Sequence, residues 1–208
     1  MSDGRASFLA TRNVSRETMA RLDIYAGLLE KWSSRINLVS RSTLPELWIR
    51  HIADSAQLID INNLNARDWV DLGSGAGFPG AVIAILAVER GDSTKFTLVE
   101  SDQRKAAFLR TVSRETDAGF NVVVCRIEDL ECQSASIVSA RALAPLDKLL
   151  DYASRHLASG GTALFPKGAQ LTEELETARK SWSFNIEIVP SVTDKEAAIL
   201  KIGEIERV

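Results

Sequence analysis

The chain has 208 residues, 45% of them hydrophobic and 25% charged, with a formal net charge of −3. These values suit one α/β domain with an appendage and leave no room for two full domains or a disordered chain. The slight negative balance gives no global attraction to nucleic acid, so any RNA-binding surface must be a local patch.

Cys125 and Cys132 are the only cysteines and His51 and His156 the only histidines. They stand in no C-x-x-C or H-E-x-x-H spacing, which points to reduced structural thiols and no metal. The start MSDGRASFLA has no apolar core of leader length, and the longest apolar run, 81–88, is too short to cross a bilayer. A cytoplasmic protein is expected.

Ser15 is a candidate cap for an amphipathic helix in which Leu22, Tyr25, Leu28, Leu29 and Trp32 recur at three- and four-residue spacing. A second helix is expected over 45–59, with Pro45 tolerated in its first turn, and the stretch 62–68 leads onward. Residues 1–66 therefore form a helical cap and 67–208 a second unit. That unit alternates β-branched runs with helical stretches, the mark of a doubly wound parallel sheet. The runs are 69–72, 96–100, 121–126, 136–141, 162–166, 186–189 and 198–202. Too little chain separates the last two for a crossover helix, so they should pair as an antiparallel hairpin. A seven-stranded sheet with its last strand antiparallel is the result.

The first strand enters VDLGSGAGFPG, 70–80, which reads in two registers. From Gly75 it matches the dinucleotide fingerprint G-x-G-x-x-G; from Asp71 it places an acidic residue before Gly73, Gly75 and Gly77. Glycines serve either ligand, by turning the chain sharply and letting backbone approach it. A carboxylate at the strand end can help hold the cationic amino end of a methionine moiety, which a pyrophosphate would not welcome. The acidic register therefore favours S-adenosylmethionine, and a NAD-dependent oxidoreductase is the competing reading.

The second strand, FTLVE, ends in Glu100, placed to accept both hydroxyls of a ribose. The helix after it, in SDQRKAAFLRTVSRE, carries Arg104, Lys105, Arg110 and Arg114. These form either a solvated face or a phosphate-contacting patch helped by Arg35, Arg41 and Arg50. In CRIEDL, Ile127 can lie against an adenine face, with Glu128 or Asp129 at its polar edge; a solvated acidic turn is the alternative. The fourth strand ends in SARALAP, without the polar residue, Pro-Pro and aromatic that methyltransferases of exocyclic amines carry there. Lys167, in FPKG, either approaches RNA phosphate or snorkels at the sheet edge.

VDLGSGAGFPG, TLVESDQRKAAFL, RIEDL, VSARALAPL and FPKG, preceded by NLVS and RHIADS, resemble together the bacterial 16S ribosomal RNA guanine-N7 methyltransferase family, RsmG or glucose-inhibited division protein B. The resemblance spans roughly residues 20 to 168. It implies a class I S-adenosylmethionine-dependent methyltransferase fold and cofactor contacts at Gly73, Phe78, Ile127, Glu128 and Arg141. Glu100 matches the acidic ribose position of the wider superfamily. Arg104 stands where relatives often have Lys.

The resemblance implies 16S rRNA or the small ribosomal subunit as partner, with no DNA and no membrane; a monomer is expected. Guanine N7 carries an in-plane lone pair and no proton, so no catalytic base is nominated. Arg141 holds the methionine carboxylate, steers the guanine or serves only as an ion pair. His51 and Asp54, three apart on one helix face, either lock the cap or line the target-base pocket. The competing readings are the same fold acting on another RNA site or a small molecule, and a non-catalytic RNA-binding factor.

Overall fold

Side chains on consecutive strand residues point to opposite faces, and the buried residues sort themselves accordingly. The computed structural model describes residues 2–61, 66–91 and 93–208. Trp69, Phe96, Leu98, Ile137, Leu164 and Ile199 pack into one core, while Val70, Val99, Val138, Phe165 and Leu200 pack into the other. A sheet buried on both faces needs helices on both, and the chain supplies them.

The strands are β1 (Asp68–Leu72), β2 (Lys95–Val99), β3 (Asn121–Val123), β4 (Ala135–Ser139), β5 (Leu157–Lys167), β6 (Trp182–Pro190) and β7 (Ala198–Arg207). Their order across the sheet is β3-β2-β1-β4-β5-β7-β6. β7 runs antiparallel to both β5 and β6, as the short connection between the last two runs requires. β3 is shorter than expected because the chain leaves the ladder for a 3₁₀ turn at Ile127–Asp129. The order reverses between β1 and β4, and ligands of open α/β sheets bind beyond the strand ends at that place.

Helices α1 (Ser2–Thr11), α2 (Arg16–Ser33), α3 (Asp54–Ile61), α4 (Gly80–Glu89) and α5 (Gln103–Glu115) share the first core with the sheet. Helices α6 (Leu146–His156) and α7 (Leu171–Ala178) cover the other face. Ser15 caps α2, its hydroxyl accepting from the Thr18 amide at 3.1 Å. α1 carries too little periodicity to show in the sequence; it is held by Phe8 against Trp48, ring centroids 5.7 Å apart, and by the Arg5–Asp23 ion pair.

The helix expected over 45–59 is not continuous. It is a 3₁₀ turn at Leu44–Glu46, a π turn at Trp48–Ala53 and then α3. An extra residue per turn rotates the side chains that follow, and such π turns gather at functional sites. The lead-in expected at 62–68 falls partly outside the described residues, at 62–65. No helix among the described residues is long and apolar enough to cross a membrane.

Glycine serves different ends in this fold. A Cβ on Gly80, the first residue of α4, would lie 2.7 Å from the Cβ of Asp71 on β1, so helix and strand approach this closely only without a side chain there. Gly27, inside α2, has nothing within 4 Å of such a Cβ. Gly80→Ala should therefore destabilise by about 1–3 kcal/mol through overpacking, and Gly27→Ala should stabilise by about 0.5–1 kcal/mol through lower chain entropy. Urea unfolding of both variants checks the pair, and equal effects would contradict this packing.

Candidate functional site

The loop after β1 is built on a buried carboxylate. Asp71 is fully buried, and its Oδ1 accepts from the hydroxyl of Ser139, its register partner on β4, at 2.7 Å. The Trp69 indole N–H donates to that same hydroxyl at 2.9 Å. Oδ2 has no hydrogen-bond partner, and burial, opposed by the Ser139 bond, raises the carboxyl pKa from 3.8 to about 6. Asp71 thus lies deeper than its place in the sequence suggested: it supports the loop from below and offers no surface to a ligand.

Above it the chain turns through Gly73, Gly75 and Gly77, all with positive φ. At Gly73 a Cβ would meet the Leu143 side chain at 2.5 Å, and at Gly77 it would meet Ala81 at 2.8 Å. The Ser74 amide donates to Val99 O at 2.9 Å, tying the loop to β2. From the cap, the buried Tyr25 hydroxyl donates to Ala76 O at 2.7 Å. Tyr25 reads in the sequence as one more apolar stripe residue, and nothing there shows its bond to the loop.

Gly73, Gly75, Glu100, Ile127, Glu128 and Tyr152 help line a cleft of about 320 Å³ beyond the ends of β1 and β2. Each Glu100 carboxylate oxygen accepts one amide, Gly75 N–H at 2.8 Å and Asp102 N–H at 2.7 Å. The carboxylate is fixed in direction and keeps lone pairs for further donors. Ile127 gives the cleft an apolar wall. Glu128 accepts from the Tyr152 hydroxyl, and its backbone carbonyl accepts from Arg155 at 2.6 Å, so helix α6 holds this turn in place.

This lining fits an adenine nucleoside bearing a cationic sulfonium: an apolar wall, a fixed acceptor for a diol and close backbone at two glycines. It fits a pyrophosphate poorly. The α4 N-terminus that would greet one is buried, with the Ala81 amide already donating to Gly77 O at 2.8 Å.

Arg141, two residues past β4, joins the cap to the sheet. Its Nη1 donates to Asp54 Oδ2 and to Arg50 O, both at 3.2 Å, and its Nη2 donates to His51 Nδ1 at 3.0 Å. The guanidinium carbon lies 4.7 Å from the Phe78 ring centroid, and the His51 ring stacks on the same phenyl at 5.0 Å and 22°. Burial lowers the Arg141 pKa and Asp54 raises it back.

A guanidinium only donates, so His51 Nδ1 accepts and Nε2 carries the ring proton. That proton faces the Thr43 hydroxyl at 3.0 Å, which in turn donates to Ser40 O at 3.0 Å. The structure therefore brings together His51, Asp54, Phe78 and Arg141, and adds Thr43, which the sequence does not single out.

A larger cleft of about 1020 Å³ lies between cap and sheet, with Arg50, His51, Asp54, Arg141, Lys167 and Glu174 on its walls. Ala142 and Leu143 line both clefts and separate them. Ala142 has φ +51, a strained conformation for a residue with a side chain, of the kind that collects at functional sites.

The basic residues part ways. Lys167 is committed: it donates to Ala144 O at 3.0 Å and pairs with Glu174 at 2.5 Å, so it holds the dividing loop and is not free for phosphate. Lys105 lines the smaller cleft, while Arg104 and Arg110 are exposed on α5. Arg114 pairs with its neighbour Glu115. Among the described residues no group of three or more His, Cys, Asp or Glu side chains is placed to hold a metal ion.

Comparison with known proteins bears on this geometry. A family model, GidB, described as rRNA small subunit methyltransferase G, matches residues 18–202. Proteins named ribosomal RNA small subunit methyltransferase G are similar over nearly the whole chain. That of Ruegeria pomeroyi is 53% identical over 95% of this chain and 97% of its own, and that of Paramagnetospirillum magneticum 48% identical over 98% and 97%. Among solved structures, a TehB-like SAM-dependent methyltransferase from Corynebacterium glutamicum aligns with TM-score 0.57 at 15% identity, covering 84% of this chain and 96% of that one. A SAM dependent methyltransferase from Aquifex aeolicus aligns with TM-score 0.55 at 13% identity, covering 85% and 96%. At these identities the solved structures show the fold, a class I S-adenosylmethionine-dependent methyltransferase fold.

Burial first, then the charges of Arg141 and Arg50, lower the His51 pKa from 6.5 to about 4. Between those values the unfolded chain binds a proton that the folded chain refuses. The contribution of His51 to stability is thus complete above the unfolded pKa and is lost as the pH falls towards the folded one. An NMR titration should find His51 neutral throughout the range of about pH 5 to 8 in which an unperturbed imidazole titrates. A midpoint near the ordinary value would mean that the ring is not buried against Arg141 as described.

Proposed function

Since this chain belongs to the GidB family, the rRNA small subunit methyltransferases G, we propose that it transfers a methyl group from S-adenosylmethionine to N7 of a single guanine in 16S ribosomal RNA. The observation that carries this reading is the pair of clefts meeting at Ala142 and Leu143. The smaller has the lining of a nucleoside site, and the larger is walled by Arg141 and the cap.

The cofactor supplies an electrophilic methyl carbon on a sulfonium. In the smaller cleft, Gly73 and Gly75 bring backbone close, Glu100 takes the ribose hydroxyls, and Ile127 and Glu128 flank the adenine; Gly77 lies behind them, packed on Ala81, and does not line the cleft. Asp71 shapes the loop from beneath. Phe78 acts from beneath the cap, as the platform for Arg141 and His51.

The acceptor nitrogen has a lone pair and no proton to lose, so no residue serves as a base. The protein's contribution is alignment of nitrogen, methyl carbon and leaving sulfur, an effect of up to about 7–11 kcal/mol. Arg141 suits the O6 acceptor of guanine, leaving the N7 lone pair free to react. A neutral His51, accepting from Arg141 through Nδ1, fixes the guanidinium without adding a second positive charge. Residues 1–66 form the cap that walls the acceptor side and 67–208 the methyltransferase unit, working as a cytoplasmic monomer without DNA or membrane. Arg104, Lys105 and Arg110 meet RNA phosphates; Lys167 acts through the dividing loop.

Purified protein, labelled cofactor and small subunits or naked 16S rRNA from a strain lacking the gene should yield 7-methylguanosine by mass analysis of nucleosides. Any other methylated nucleoside would redirect the acceptor, and NADH binding in calorimetry would favour the oxidoreductase reading. Glu100→Gln should weaken S-adenosylhomocysteine binding by about tenfold or more, as loss of hydrogen bonds to a charged group implies. Neutralising Arg104, Lys105 and Arg110 together should flatten the salt dependence of RNA binding, and an unchanged slope would remove them from the interface.

A further inference from the structure

An Arg–carboxylate pair prefers two parallel hydrogen bonds, and Arg141 and Asp54 do not make them. Asp54 offers Oδ2 alone to the guanidinium, at 3.2 Å. Its Oδ1 is already taken, by the Thr193 hydroxyl at 3.0 Å and by Gln57 Nε2 at 3.2 Å. The second amino group of Arg141 is thereby left for His51.

Thr193 belongs to the turn between β6 and β7, more than a hundred residues from Asp54. The turn is seated by further bonds: the Val192 amide donates to Gln57 Oε1 at 2.7 Å, Gln57 Nε2 reaches Ser191 Oγ at 3.2 Å, and the Ser191 and Thr193 hydroxyls lie 2.9 Å apart. Ser191, Thr193 and Asp194 also line the larger cleft, so the same turn is part of its wall. Gln57 is buried, an expensive place for an amide unless its donors and acceptor are used, and here they are.

We infer that Thr193 and Gln57 are positioning residues for the acceptor side: by occupying Asp54 Oδ1 they hold the Asp54–Arg141 pair to a single bond and so aim the guanidinium at His51 and the acceptor cleft. The inference deepens the methyl-transfer reading and rests on it. Thr193 is the dedicated donor, since the two Gln57 Nε2 protons are shared among Asp54 Oδ1, Asp54 O, Ser191 and Thr193; without its hydroxyl the carboxylate can turn to take both amino groups of Arg141, drawing it off His51 and out of line with the acceptor base. The smaller cleft is lined neither by the turn nor by Arg141 or Phe78, the two implied cofactor contacts that the structure places on the acceptor side instead, so cofactor affinity is outside the turn's reach.

Thr193→Val removes the hydroxyl and keeps the branched shape; Thr193→Ser keeps the hydroxyl. In the full-length protein, Thr193→Val should lower kcat/KM for RNA by about tenfold, the loss expected for one hydrogen bond to a charged group. Its affinity for S-adenosylhomocysteine by calorimetry should stay that of the wild type, and Thr193→Ser should restore methyl transfer. A second readout needs no RNA: with Arg141 drawn away, the His51 NMR midpoint should rise from about 4 in Thr193→Val and not in Thr193→Ser.

Wild-type rates and an unmoved His51 midpoint in Thr193→Val would overturn the inference while leaving the methyl-transfer reading intact. Parallel loss of S-adenosylhomocysteine binding would also overturn it, as general damage. If the wild-type protein itself makes no 7-methylguanosine, the methyl-transfer reading fails, and the His51 midpoint still decides whether Thr193 sets the Arg141 geometry.

Discussion

A guanidinium drawn out of water must find partners for its N–H groups and a face to rest on, and at Arg141 these come from two distant parts of the chain. Asp54, His51 and the Arg50 carbonyl come from the cap side, and Phe78 comes from the glycine loop. Removing any one leaves a buried charge short of a bond or of a face to rest on. Together with the shared core and the Tyr25–Ala76 hydrogen bond, this requirement fixes how cap, loop and sheet meet beside the larger cleft.

The carboxylate of Asp71 works on the opposite principle. It is buried with one oxygen satisfied and one bare, and burial raises its pKa. Gly80 presses on it from α4 and Ser139 grips it from β4. A group that costs stability in this position serves to fix the start of the loop, whose amide at Gly75 then fixes Glu100. The chain of contacts runs from a strand end to the smaller cleft.

The two clefts differ in their walls. The smaller cleft is lined by strand ends, the glycine loop and a turn held by α6. The larger cleft is bounded by the π turn, the ends of β5 and β7 and the hairpin turn, and the strained Ala142 lines both. A π turn and a residue at positive φ beside the clefts are local irregularities of the kind that gather at functional sites.

The sequence by itself determined the sheet and its order of elements, the glycine loop, the closing hairpin and the place of Glu100. Each of these is written in local spacing: β-branched runs, glycines at every second position, a connection too short for a helix. It did not determine that α1 forms, which depends on Phe8 finding Trp48, nor that the helix expected over 45–59 breaks into a π turn. Only tertiary structure decided that Asp71 is sealed beneath its loop, that Lys167 spends its charge on Glu174, and that Thr193 shares a carboxylate with Arg141. The physical reason is reach: propensity and periodicity act over a few residues, whereas the partner that satisfies a buried charge is whichever donor or acceptor the completed fold brings within about 3 Å.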